Sequence, residues 1–378
     1  MEPQPNVGSH LTYFKIENFK RFDSFEMSNL GQFNLIVGDN NVGKTSVLEA
    51  LLFDEDLDQL MVNFLGSVGF RKVFDFKHGE AIDGKTGKNT EFWSYIFKVL
   101  DSPLKIQFQI QNLFKSYSLR LSDFKHLDPI TQQTIRKNAP PNYPDDWIVI
   151  MNEQTKNGNG VGAYFETSRS DIFKLNIPFL PVNLGFSQDI IDNFYQYINS
   201  DKLARREFDE NLRKFIPNLE DTRVHRFSPT RETLCVTLLD NNDIIPINRY
   251  GDGTVKFVRF LIEVVLAKGK RLMVDEIGSG IHFTRLVDYW KTVIRLCDQY
   301  KVQLFATTHS LECQQAFVEA LEDPEMQHYQ KDARNISLIE NKEGEVKAVT
   351  YNFEQLNFSL ENGIETRGGK RKGFQVWK

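Results

Sequence analysis

Cysteine, long apolar runs and net charge are all scarce in this sequence, and each shortage removes a class of protein. The three cysteines, Cys235, Cys297 and Cys313, lie far apart. An odd set with no short paired spacing argues against a disulfide framework and a zinc site, and suits a reducing compartment. No apolar run approaches the ~18 residues that a membrane helix needs. The first ten residues are polar, with Pro3 and Pro5 where a signal peptide has its apolar core. The expectation is a cytoplasmic protein with no membrane attachment. The formal charge of −5 and pI of about 5.9 lack the basic excess of a dedicated duplex-binding module. Any DNA contact would rest on local basic stretches, Lys202-Leu203-Ala204-Arg205-Arg206 and Lys370-Arg371-Lys372.

What is present is ample core material: 40% of the 378 residues are hydrophobic, and the 31 phenylalanines are scattered as core filler. Alternation over 11–18 predicts a strand. Residues 33–37 form a short apolar strand that feeds a glycine loop, and 45–53 have helical spacing through Val47, Leu48, Ala50, Leu51 and Leu52. Helices are predicted over 57–65 and 90–100, and a hairpin over 104–113 and 117–121. A polar, proline-containing excursion covers 122–146. Strands at 147–151 and 161–165 follow, joined by a loop over 152–160. Helices at 187–198 and 201–215 come next, then strands at 234–239 and 243–247 around the turn Asp240-Asn241-Asn242. The remainder alternates: helix 255–267, strand 271–274, helix 283–300, strand 303–307, helix 311–321, strands 336–340 and 346–351, and a loose basic tail over 368–378. The pattern predicts an α/β core split in sequence, 1–53 with 246–378, around an antiparallel and helical lobe over 54–245.

Four segments of this pattern carry chemistry. Gly38-Asp39-Asn40-Asn41-Val42-Gly43-Lys44-Thr45, followed by Ser46, matches G-x-x-x-x-G-K-[ST] without a gap, between a strand and a helix. Its glycines let backbone N–H groups curl around phosphates, Lys44 would reach the β- and γ-phosphates, and the Thr45 hydroxyl would ligate magnesium. Arg271-Leu272-Met273-Val274-Asp275-Glu276 is an apolar strand ending in two acids, an unfavourable arrangement without a use. Asp275 would hold magnesium, and Glu276 would act as general base on the attacking water. A strand end leading into the turn Gly278-Ser279-Gly280 is the plainer alternative. Phe305-Ala306-Thr307-Thr308-His309-Ser310 brings a histidine to another strand end, where it could meet the γ-phosphate or simply cap the next helix. Tyr250-Gly251-Asp252-Gly253-Thr254 opens an apolar helix as a second anion-binding nest, or as a tight turn with a cap.

In this order the four elements resemble the ABC/SMC-like ATPases, and more closely their RecF-like and OLD-type (overcoming lysogenization defect) branch of AAA family ATPases. The resemblance spans most of the chain, from Tyr13–Asn18 and Phe19-Lys20-Arg21-Phe22 to Thr307-Thr308-His309-Ser310. It implies an ABC-ATPase-like P-loop core with a mixed sheet, binding ATP and Mg2+. It implies that ATP held at Gly38, Asn40, Asn41, Val42, Gly43, Lys44, Thr45 and Ser46 is closed over by Gly251, Gly253 and Thr254 of another subunit. Such a sandwich makes a homodimer or higher oligomer. Gly278–His282 would be the dimer-contacting loop and His309 the switch histidine. Lys20 and Arg21 stand where members place a phosphate-contacting residue, or form a solvated pair.

The chain departs from relatives in four respects. The signature is Tyr-Gly-Asp-Gly-Thr rather than Leu-Ser-Gly-Gly-Gln, which argues against a transporter. No long coiled coil separates the halves. The Q-loop glutamine has only Gln107 and Gln109 as candidates by position. OLD proteins also carry a toprim nuclease; no acidic cluster of the E…D-x-D kind is free after His309, so no built-in nuclease is expected. By analogy, the expected role is an ATP-gated regulatory ATPase that controls a separately encoded effector in anti-phage defence. The alternatives are a RecF-like DNA clamp and a scaffold that binds ATP without turnover.

Overall fold

A computed structural model describes residues 10–53, 60, 63, 94, 96–111, 113–123, 127–130, 132–133, 147–155, 158–165, 179–182, 188–228 and 231–368. For 122–123, 147–155, 158–165, 231 and 241–242 it describes the backbone only. The fold is α/β, organised around one mixed sheet and one antiparallel sheet.

The mixed sheet is built on β3 (Phe33–Gly38), which is buried along its whole length. It pairs in parallel with β13 (Gln303–Thr308) on one side and β14 (Ala333–Glu340) on the other. β13 pairs in parallel with β12 (Arg271–Val274), and β12 with the two-residue β8 (Phe179–Leu180). Only β15 (Val346–Tyr351), at the far edge, runs antiparallel. A central parallel strand must be apolar on both faces. Successive residues of these strands accordingly enter two different cores. Leu35, Val37, Leu272, Val274, Leu304 and Ala306 join one; Ile36, Met273, Phe305, Ile336 and Leu338 join the other.

Against the first face lie α4 (Asp252–Leu266), α5 (Leu286–Gln299) and α6 (Leu311–Glu322), with Val258, Trp290 and Phe317 in the same cluster. Against the second lie α1 (Lys44–Ala50) and the antiparallel sheet, ordered β2-β1-β4-β5-β6-β7. Its strands are β1 (Leu11–Phe19), β2 (Phe22–Ser28), β4 (Leu104–Ile110), β5 (Leu113–Asp123), β6 (Trp147–Thr155) and β7 (Gly158–Phe165). The Gln303 side chain joins the two sheets, accepting from Leu11 N–H (2.9 Å) and donating to the carbonyls of Leu11 and Gly31 (2.8 Å each). Strands from the middle of the chain thus extend the sheet that β1 and β2 begin, and β8 extends the mixed one.

The rest of the middle segment holds α2 (Gln188–Asn193), continued by a π-helical turn over Phe194–Ile198, and α3 (Lys202–Leu212), whose cap Asp201 accepts from Leu203 and Ala204 N–H. A small sheet of β9 (Leu219–Ser228), β10 (Arg231–Leu238) and β11 (Asn241–Pro246) completes it. α7 (Phe353–Glu361), opened by an Asn352 capping box, follows β15.

Several elements differ from the sequence reading. β2, β9 and α7 were not predicted: the buried positions of β2 are Phe22, Phe25 and Met27, a broken alternation, and β9 is mostly polar. Residues 96–100 form a turn rather than the end of a helix, because Phe97 bridges to Phe19 and Lys20 N–H donates to Ile96 O (2.7 Å). The expected loop over 152–160 is largely strand, since β6 and β7 run on as a hairpin. The helix expected from 283 begins with a 3-10 turn, Phe283–Arg285, before α5. Apart from Leu60 and Asn63, both helical, the helix over 57–65 lies outside the described residues. So do most of the excursion over 122–146 and the tail beyond Gly368.

Candidate active site

Because β3, β13 and β12 are parallel neighbours, their carboxyl ends lie side by side. The glycine loop leaves β3, Asp275-Glu276 leaves β12, and His309 leaves β13. This is the edge at which open parallel sheets place ligands.

The loop shape depends on its glycines. Gly43 has φ of 103°, a conformation L side chains rarely adopt, and a Cβ there would lie 2.9 Å from the Phe22 ring. Gly38 has no space either: a Cβ would meet Val42 Cγ1 at 2.7 Å. Asn41 adopts φ of 64°, as asparagine tolerates. Lys44 is buried, and its Nζ donates to the carbonyls of Gly38 (2.9 Å) and Asp39 (3.1 Å), so the cation lies within the curl of the loop. Burial pushes its ammonium below the usual lysine range, while the charges of Glu276, Asp275 and Asp39 oppose that shift. No side chain caps the start of α1.

The acidic strand end meets this loop directly. Thr45 Oγ1 donates to Asp275 Oδ2 (3.1 Å), and Thr307 Oγ1 donates to Asp275 Oδ1 (2.6 Å). Burial raises the Asp275 carboxyl above its ordinary value, and these two hydroxyls pull it back. Glu276 is a non-glycine residue at φ of 49°. Such backbone strain persists only where surrounding contacts enforce it. Its N–H donates to Thr307 Oγ1 (2.9 Å), and its Oε2 lies 2.8 Å from His309 Nδ1. His309 does not cap the next helix; Ser310 does, accepting from Cys313 N–H (3.0 Å).

Gly251 and Asp252 are exposed at the start of α4, and Gly251 has φ of 87°. Thr254 Oγ1 donates to Tyr250 O (3.4 Å). Gly253 is buried against its own chain, where a Cβ would lie 2.1 Å from Gly280 O. Lys20 pairs with the buried Glu49 of α1 (2.5 Å), and Arg21 donates to the Asn41 carbonyl and pairs with Glu340 (2.6 Å). From the turn between β1 and β2, Lys20 thus holds α1 and Arg21 holds the loop. Gln107 and Gln109 lie on β4, opposite Lys15 and Tyr13 of β1.

Two residues escaped the sequence reading. Thr307 is hidden in an apolar strand, but its position two residues before His309 was the available signal. Lys256 stands among the apolar residues of α4 and donates its Nζ to the backbone carbonyls of Asp275 (3.1 Å) and Glu276. A lone lysine on an apolar helix could have flagged it.

With this geometry established, comparisons with known proteins bear on the family. The profile of the family described as "AAA domain, putative AbiEii toxin, Type IV TA system" matches residues 33–312, well over half of the chain. The chain belongs to this family. It is a P-loop ATPase. A Helicobacter pylori protein named "ATP/GTP phosphatase" is 22% identical over 372 residues, covering 92% of this chain and 97% of that one. Among solved structures, a Pyrococcus furiosus Smc head domain bound to the C-terminal domain of ScpA matches at a TM-score of 0.45 and 11% identity, covering 93% of this chain and 99% of that one. The SMC head domain of Thermotoga maritima matches at 0.39 and 12%, covering 91% and 99%. Among the described residues no helix is long and apolar enough to cross a membrane.

Proposed function

We propose that the chain hydrolyses ATP at the junction of the glycine loop and the acidic strand end, and that the nucleotide gates a homodimer or higher oligomer controlling a separately encoded effector. The observation that carries this reading is one convergence: Thr45 on Asp275 at 3.1 Å, beside His309 on Glu276 at 2.8 Å. Residues that follow three neighbouring strands, Thr45 lying 230 positions before Asp275, meet in the set a phosphoanhydride hydrolase needs.

The donor set fits magnesium. A hydroxyl and a carboxylate converge as hard oxygen ligands, and among the described residues no group of three or more His, Cys, Asp or Glu could hold a metal alone. Magnesium characteristically binds through one or two protein oxygens and completes its shell with water and substrate phosphates. Thr45 and Asp275 would hold it, and bound magnesium would supply neutralisation of the phosphate charge. Lys44, with the backbone of Gly38, Asn40, Asn41, Val42, Gly43 and Ser46, would cradle the phosphates. Glu276 would take the proton from the attacking water, with His309 orienting its carboxylate.

The Gly251–Thr254 turn would meet the nucleotide of a second subunit through Gly251 and Thr254, with Gly253 packed behind them on Gly280 and with Ser279 and the 66%-exposed Phe283 close in sequence to Gly280. The family's toxin description supports a two-component setting, in line with anti-phage defence in the cytoplasm. The DNA-clamp alternative gains nothing from α3, where Arg205 and Arg206 pair with Asp209 (3.5 Å) and Glu210 (3.6 Å).

The test is Glu276→Gln. It should keep nucleotide binding, lose phosphate release, and shift to a higher particle mass on adding ATP and magnesium. Wild-type protein that releases no phosphate above background refutes the hydrolysis, equal release by the variant refutes the role of Glu276, and a single-chain mass under all conditions refutes the gated oligomer.

A further inference from the structure

We infer that Lys256 is a positioning residue for hydrolysis: from near the start of α4 it fixes the backbone that aims the Glu276 carboxylate. The inference rests on the role proposed above for Glu276.

Lys256 Nζ donates to two successive backbone carbonyls, Asp275 O (3.1 Å) and Glu276 O. An ammonium has three donors and no acceptor, so it can hold two carbonyls at once only if both turn toward it. In an extended strand successive carbonyls point to opposite sides. Helical dihedrals of either hand turn them to the same side, and Glu276 is in the left-handed region at φ of 49°. The left-handed backbone at Glu276 thus lets one cation hold both carbonyls. From the opposite side, Thr307 takes the Glu276 N–H on its hydroxyl and the Ile277 N–H on its carbonyl, both at 2.9 Å. The backbone on either side of Glu276 is thus gripped from α4 and from β13. The side chain is left to reach His309.

The same helix holds the far end of the loop. Gly253, one turn earlier, packs on Gly280 so closely that a Cβ would lie 2.1 Å from Gly280 O. α4 thus fixes residues 275–280 at both ends, and a change at the Gly251–Thr254 turn reaches Glu276 through Lys256.

The experiment compares Lys256→Met, Lys256→Arg and Glu276→Gln in the full chain by steady-state ATP hydrolysis. Lys256→Met should lower kcat by about tenfold or more with KM within about threefold, because the P-loop is untouched. Lys256→Arg, whose fork can reach two carbonyls, should recover most of the rate. In the Glu276→Gln background, Lys256→Met should change the residual single-turnover rate by less than about twofold, since the group it positions is gone. A Lys256→Met kcat within about twofold of wild type overturns the inference, as does an equal fold loss in both backgrounds or a KM that rises in step. If Lys256→Met does not fold, Lys256→Gln is read by the same criteria. A fully active Glu276→Gln would overturn the general-base role of Glu276 on which this inference rests. An inactive Glu276→Gln beside a fully active Lys256→Met overturns only the positioning role.

Discussion

Replacing Gly253 with alanine adds one methyl group where the chain has no room for it. From sequence, this glycine reads as part of a surface nest, so substitution there should disturb only a partner's nucleotide. The structure places the new Cβ 2.1 Å from Gly280 O and 2.8 Å from Gly280 C, both backbone atoms. The carbonyl would have to retreat by roughly 1.3 Å or more to reach ordinary contact. It cannot do so by a simple peptide rotation, because Gly280 is itself at φ of 80° and a Cβ on it would lie 3.0 Å from Gly253 N. Overpacking of this kind costs about 1–3 kcal/mol. Alanine's better helix propensity returns at most about 1 kcal/mol, less so near a helix start. The net loss is about 1–2 kcal/mol, a fall of a few degrees in Tm for a chain of this size. Differential scanning calorimetry of nucleotide-free protein measures it. Thr254→Ala is the control, because its hydroxyl makes only the long 3.4 Å bond to Tyr250 O. Gly253→Ala should also slow turnover, since the displaced loop includes Glu276. A Gly253→Ala protein with wild-type Tm and wild-type turnover would refute the close-packing argument.

Other positions give sharper readings of single forces. Glu263 is buried on α4, and burial raises its carboxyl from 4.5 to about 7 against the opposing charge of Arg259. Between those values the native state holds a proton that the unfolded chain has released, so its contribution to stability is full below about pH 4.5 and is lost as pH rises through about 7. Glu263→Gln should therefore gain on wild type with rising pH, by on the order of 3 kcal/mol at pH 8 and nothing near pH 4.5. Denaturant midpoints at the two pH values check this, and a pH-independent difference would sink it. Arg271 is buried at the start of β12, donating to Leu51 O (3.3 Å) and Phe53 O (2.8 Å) just past α1. Arg271→Met should cost about 2–4 kcal/mol by leaving those carbonyls unpaired at the negative end of the helix. An unchanged urea midpoint would mean that water or another donor replaces the guanidinium.

The order of elements around the chemistry was readable in the sequence because each follows a local rule. G-x-x-x-x-G-K-[ST] between a strand and a helix needs only neighbouring residues to specify it, and so does an apolar strand ending in Asp275-Glu276. Long-range pairing was not readable. Nothing near Phe22 announces β2, whose burial is decided by β1 opposite it and by the glycine loop lying on Phe22. Strands from the middle of the chain join the sheet of β1 and β2 through backbone hydrogen bonds, which leave no mark on side-chain choice. At the site, sequence alone determined which residue types stand at the strand ends. Tertiary structure decided what holds them. The left-handed backbone of Glu276, the grip of Lys256 and Thr307 on it, and the backbone contact of Gly253 with Gly280 join α4, β12 and β13, elements that meet only when the sheet forms. A lone lysine in an apolar helix or a threonine in an apolar strand has no meaning until the carbonyl or carboxylate it serves is brought within hydrogen-bond distance, and only the fold supplies that neighbour.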